Sequence, residues 1–96
     1  MKIVKAVLID SLDNCVTLSA PAEPGDTVSF MCNGVSRAVV AQESIPIWHK
    51  AAPEPIEKGE PVRKYGSVIG VAFEHIEAGC HIHTHNIRSE RKGVVE

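Results

Sequence analysis

Hydrophobic residues along this chain fall in short runs, and the runs are cut by Gly, Pro, Asn and Asp before any of them reaches helix length. Residues 2–9 are rich in Val and Ile. The positions of Ile3, Val4, Val7 and Leu8 also fit a helix face, but the segment is short and uncapped, which favours a strand. Asp13-Asn14 signals a turn, and residues 15–18 a second strand. Asn33-Gly34 is the strongest hairpin signal in the chain; it lies between Ser29-Phe30 and a strand over residues 37–41. A further strand is predicted over residues 67–73. There Gly70 interrupts the apolar run and suggests a bulge or a close backbone approach. Pro53 and Pro55 mark a loop or an edge, since proline donates nothing to a ladder. Short helical turns are expected only at residues 21–24 and 53–58.

One pattern recurs. Ala22-Glu23-Pro24-Gly25-Asp26-Thr27-Val28, Ile56-Glu57-Lys58-Gly59-Glu60-Pro61-Val62 and Ile76-Glu77-Ala78-Gly79-Cys80-His81-Ile82 share one form. Each has a small or aliphatic residue, Glu, any residue, Gly, a pair of spacers and a β-branched residue. Glycine takes a positive φ at little steric cost, so each copy reads as a turn feeding a strand. The unequal intervals argue against a solenoid.

Ninety-six residues make a single domain over 1–96. Only four residues are aromatic (Phe30, Trp48, Tyr65 and Phe73), so the core must be built from Val, Ile, Leu and Ala, as suits a β fold. A net charge of −2 gives no basic face for a phosphate backbone, and no nucleic-acid partner is expected. The basic group of Arg88, Arg91 and Lys92 reads as a solvated tail. Three cysteines without CxxC spacing, Cys15, Cys32 and Cys80, read as free thiols rather than a disulfide framework. The first ten residues lack the long apolar run of a signal peptide, and no stretch approaches membrane-spanning length. A cytoplasmic protein without a membrane partner is the expectation.

Residues 74–86 hold four of the five histidines. In an extended chain, side chains alternate between faces, so His81, His83 and His85 would share one face and Cys80 would turn the other way. Such a row can serve a metal, an anion or a proton, or can simply be the polar face of a small β domain. Residues two apart on a strand have Cα atoms about 6.6 Å apart, which lets His83 and His85 reach one ion. A complete site needs a third ligand, from His49, a carboxylate or another chain. Lys50 and Lys64 each offer a point charge for a carboxylate. Tyr65 suits a packing residue with a wet tip, and Trp48 suits either a core anchor or a surface where a partner docks.

Several motifs together carry a resemblance: His49-Lys50-Ala51, the segment 56–62, Lys64-Tyr65-Gly66, Ile69-Gly70, the segment 76–79 and His83-Thr84-His85-Asn86. This set resembles the small domain of the altronate dehydratase family, which also takes in galactarate dehydratase and the two-subunit sulfolactate sulfo-lyase. The resemblance implies a mostly β, β-clip (SAF-like) fold. It implies the small component of a sugar-acid hydro-lyase in sugar-acid catabolism, working with a large catalytic lyase subunit. Alternatives are the small subunit of sulfolactate sulfo-lyase or galactarate dehydratase, or a sugar-acid-binding module without a catalytic share. It further implies a divalent metal, iron or manganese, shared with the large subunit. Carried over residue by residue, it makes His49, His83 and His85 the candidate catalytic groups, with His83 and His85 as metal ligands. Asn86 joins Lys50 and Lys64 as candidate substrate contacts. His75 and His81 find no support in the resemblance. Trp48 stands where the family usually has Gly, the aromatic residue usual near His81 is missing, and residues 51–55 also depart from the pattern. Self-association would cover exposed strand edges.

Overall fold

The computed structural model describes residues 2–83 and 85–88. Thr84, Arg91 and Lys92, named above, lie outside the described residues. The strands are β1 (Ile3–Val7), β2 (Val16–Leu18), β3 (Thr27–Cys32), β4 (Val35–Val40), β5 (Lys50–Ala51), β6 (Pro61–Lys64), β7 (Ser67–Ala72), β8 (His81–Ile82) and β9 (Ile87–Arg88). They form a six-stranded sheet, ordered β4-β3-β1-β2-β5-β8, and a three-stranded sheet, ordered β6-β7-β9. β1 and β3 run parallel, and the other pairs are antiparallel. The mostly β expectation is met. The two helical turns are not: neither segment is helical, and instead Ala22 bridges Ile45 and Ile56 bridges Ile76, each just before a tight turn. Proline and glycine spaced this closely leave no room for even one helical turn with its own hydrogen bonds.

The three turns predicted from glycine are present, and they have a fourth member. In each, the amide four residues after the bridging residue bonds the carbonyl one residue after it: Asp26 to Glu23, His49 to Pro46, Glu60 to Glu57 and Cys80 to Glu77, at 3.0 to 3.1 Å. The preceding residue has positive φ in every case: Gly25 at 95°, Trp48 at 68°, Gly59 at 93° and Gly79 at 87°. Each turn also clasps one buried residue through a reciprocal pair of backbone bonds. Those residues are Ala41, Leu18, Ala72 and Ala52, in the same order. The fourth turn, Ile45-Pro46-Ile47-Trp48-His49-Lys50-Ala51, was hidden because a bulky residue occupies the glycine position.

These turns organise two cores. Ala22 and Ile45, with Val28, Ala51, Ala41 and Leu18, belong to one buried cluster, which Val4, Ala6, Val16 and Phe30 complete. Ile56 and Ile76, with Val62, Ile82, Ala72 and Ala52, belong to the other, together with Cys15. Each core is thus closed by one bridged pair of turns. The Asn33-Gly34 hairpin forms as expected between β3 and β4, with both φ values positive, at 52° and 81°. A second turn of this kind, Tyr65-Gly66 at 57° and 76°, joins β6 to β7. Tyr65 is exposed there, not packed. Asp13 accepts bonds from the Tyr65 and Gly66 amides at 3.0 and 2.8 Å, which ties the 10–14 loop to this hairpin. The irregularity expected at Gly70 is real: the register slips between Val62 and Arg63, and a side chain on Gly70 would come within 2.7 Å of the Arg88 carbonyl.

Candidate functional site

A cluster of imidazoles forms where β5 meets β8 at the edge of the six-stranded sheet. Ala51 pairs with His81 and Lys50 with Ile82. Continuing that register one step sets His49 opposite His83. Cross-strand partners share a face, so His49, His81 and His83 lie together beside Ala51, while Lys50 and Ile82 take the other face. The ring centroids agree: His49 to His83 is 4.9 Å, His49 to His81 is 5.0 Å, and His81 stacks on His83 at 5.3 Å. The expected alternation from His81 to His85 holds only as far as His83. β8 ends at Ile82, and the chain then turns, with the Asn86 and Ile87 amides both bonding the His83 carbonyl at 3.1 Å. Even so, His85 comes back beside His81, with 5.4 Å between ring centroids.

One nitrogen from each of His49, His81 and His83 lies within 4.8 Å of the other two. His49 and His81 are half-buried and His83 is exposed, so the open side of the cluster is at His83. His49 Nδ1 and His81 Nε2 are 2.9 Å apart, a hydrogen bond in which one ring donates and the other accepts. Burial pushes His81 down to about 4, and the neighbouring imidazoles His49, His85 and His83 push in the same direction against Glu43. His81 is therefore neutral at pH 7 and can give a lone pair to a metal without first losing a proton. Ligands of a tetrahedral ion at about 2.0–2.1 Å stand roughly 3.4 Å apart, so a metal would need the His49–His81 contact to open by about half an ångström. The donor set fits a divalent ion that prefers imidazole.

Two carboxylate and amide groups fix the strand that carries this cluster. Glu43 accepts the His81 amide at 2.8 Å. Asn86 is buried, accepts the His83 amide at 2.9 Å and donates to the His81 carbonyl at 2.7 Å. Its amide is committed to the backbone, so it shapes the loop that presents His83 and does not point at a solute. Lys50 and Lys64 stand apart from the cluster. Both act on the buried Cys15, whose thiol burial pushes up to about 11 against the pull of these two cations. Lys64 also lies over the Tyr65 ring, 5.1 Å from its centroid. All three cysteines are free, and Cys80 packs against the second core, on the side away from the histidines. Of the sequence candidates, His49 and His83 come together, His85 stands beside His81, and the lysines and Asn86 do not join. His81 is the member that sequence reasoning set aside. Its alternation with His83 was the available signal; the lack of a matching family residue outweighed it.

A small β domain closed by two bridged pairs of turns, with histidines gathered at one sheet edge, has relatives. Residues 4–90 match the model of the altronate/galactarate dehydratase SAF domain. The chain belongs to that family. Over 83 residues it is 36% identical to an altronate dehydratase of Escherichia coli K12, a match that takes in 86% of this chain but only 16% of that protein. It is 40% identical over 53 residues to the (2R)-sulfolactate sulfo-lyase subunit alpha of Paracoccus pantotrophus, covering 55% of this chain and 79% of that subunit. The corresponding subunit of Chromohalobacter salexigens is 38% identical over 50 residues, which is 53% of its length. The SAF domain is thus a small fraction of one relative and most of a separately named subunit in another. Among the described residues no helix is long and apolar enough to cross a membrane.

Proposed function

We propose that this SAF domain is the small component of a sugar-acid hydro-lyase of the altronate dehydratase type, completing an active site that a large catalytic subunit mostly supplies. The observation that carries the reading is the imidazole cluster at the open edge between β5 and β8, on a domain whose relatives are lyases. His49, His81 and His83 would hold a divalent ion, and His85 stands beside the His81 ring. Three imidazoles favour iron or zinc over manganese, which prefers oxygen donors. Such an ion supplies polarisation of a substrate oxygen. The chain's own part is proton handling and placement. Dehydration next to a carboxylate needs a base for the carbon-bound proton and an acid for the departing hydroxyl, and a neutral imidazole serves as the base. Exposed His85 is free to exchange such a proton with a bound sugar acid, while Asn86 keeps His83 in position through the backbone. Lys50 would hold a carboxylate only on the opposite face of β5, and Lys64 only from β6.

The sulfolactate sulfo-lyase reading deserves a place beside it, because the match covers most of a small separate subunit. The chain and the large lyase subunit of the same genome should be purified separately and mixed. Dehydration of altronate and galactarate, and sulfite release from sulfolactate, are then followed. Turnover of one substrate by the mixture is expected, falling at least a hundredfold with His83→Ala. Full activity of the large subunit alone would overturn the proposal.

A further inference from the structure

Three of the four equivalent turns place glycine at the left-handed position, and the fourth places Trp48 there at φ 68°. A bulky residue in that region costs conformational energy, and such strain persists where something else holds it. Here the backbone bonds of the clasp with Leu18 hold it, while the indole itself is left 66% exposed. The residue before it differs in the same way. Ile47 is 41% exposed, whereas the sister turns carry Pro24, Lys58 and Ala78 at that position. The turn that leads into His49 therefore ends in an exposed apolar tip that the other three turns lack.

We propose that Trp48, with Ile47 beside it, is the anchor by which the large catalytic subunit seats itself over the histidine cluster. This rests on the proposed small-subunit role. A subunit that completes the site must bring its atoms to the open side of His49 and His83, and Trp48 is the chain neighbour of His49. A tryptophan raised on a rigid, doubly clasped turn loses little further freedom on docking, and residues of this type dominate interface energetics. The matching surface is an apolar or aromatic pocket on the large subunit, next to the part that reaches the imidazoles. Relatives of this family occur both as part of a much longer protein and as a named alpha subunit, so a large companion is the occupant with support.

Trp48 is the sole tryptophan, so a chain labelled with 5-fluorotryptophan reports on this site through one fluorine resonance. Adding the large lyase subunit should shift that resonance and shield it from a soluble paramagnetic quencher. Trp48→Gly restores the residue used by the sister turns, so it should fold with an equal or higher melting temperature. It should nevertheless bind the large subunit at least tenfold more weakly, and Trp48→Phe should recover part of the loss. A complex that forms with unchanged affinity and turnover in Trp48→Gly overturns the anchor and leaves the lyase reading intact. A resonance that shifts with sugar acid alone, or with concentration of this chain alone, assigns the tip to substrate or to self-association and also overturns it. Failure of the unaltered chain to associate at all overturns both readings.

Discussion

His75 shows how a single residue can be read from geometry and then tested. It lies outside the cluster, between two of the sister turns, with Nδ1 at 3.1 Å from Glu57 and Nε2 at 2.9 Å from Glu77. Both acceptors are carboxylates, so both ring nitrogens must donate, and only the imidazolium does this. The hydrogen bonds to Glu57 and Glu77 accordingly raise its pKa above the ordinary value of 6.5. A raised folded-state pKa means that the ring's contribution to stability is fully present below about pH 6.5 and fades as pH rises through the higher folded value. The pair is exposed, so the effect is small. Replacing His75 with Gln should lower the melting temperature slightly at pH 5.5, and the difference should shrink as pH rises through the raised folded-state value. A difference that grows towards alkaline pH would contradict this assignment.

At the scale of elements, the turns invite a direct comparison of two glycines with the same backbone and different surroundings. Gly59 and Gly79 have φ of 93° and 87°. A methyl group on Gly59 would meet nothing within 4 Å, whereas on Gly79 it would run into the Val40 carbonyl. Gly59→Ala should therefore cost only the left-handed penalty of about 1–2 kcal/mol. Gly79→Ala must also push away the end of β4 and the Gln42 beyond it, whose amide bonds the Gly79 carbonyl at 2.9 Å. A further loss of about 2 kcal/mol or more is expected, in line with overpacked sites. Urea denaturation of the two variants measures the difference, and equal losses would refute the explanation. The same turns mark how much of the fold was legible in the sequence. Three announced themselves through glycine, and the Asn33-Gly34 hairpin through its dipeptide. The fourth turn and the Tyr65-Gly66 hairpin did not, since Trp48 and Tyr65 take a conformation their side chains disfavour and only tertiary hydrogen bonds hold them there. The site was legible in the same partial way. Local alternation put His81 beside His83, but the role of His49 depends on a pairing across more than thirty residues, which no local pattern encodes.

On the scale of the whole molecule, the cluster draws its ligands from two distant parts of the chain. His49 comes from the turn before β5, in the bridged pair that closes the first core, while His81 lies on β8 and His83 just after it, and Ile82 between them belongs to the second core. An ion held by all three would therefore add a further cross-link to the β5–β8 pairing, the Glu43–His81 bond and the Ala52 clasp that already join these segments. A ligand that binds the folded chain alone stabilises it by RT ln(1 + [L]/Kd), about 2.7 kcal/mol at a hundred times Kd. For a domain of this size that corresponds to a melting temperature raised by roughly 10–20 °C. Ferrous iron or zinc should produce the rise, and excess chelator should abolish it. His49→Ala and His81→Ala should each remove most of it, because two imidazoles bind far more weakly than three. His85→Ala should keep it, since His85 is not among the three converging nitrogens. This last variant separates metal binding from proton transfer. Should His85→Ala lose the thermal shift while His81→Ala retains it, the ligand set would be the pair read from the His-x-His motif and not the cross-strand trio. If it keeps the shift but loses turnover in the reconstituted lyase, His85 is the group that handles the proton beside the metal.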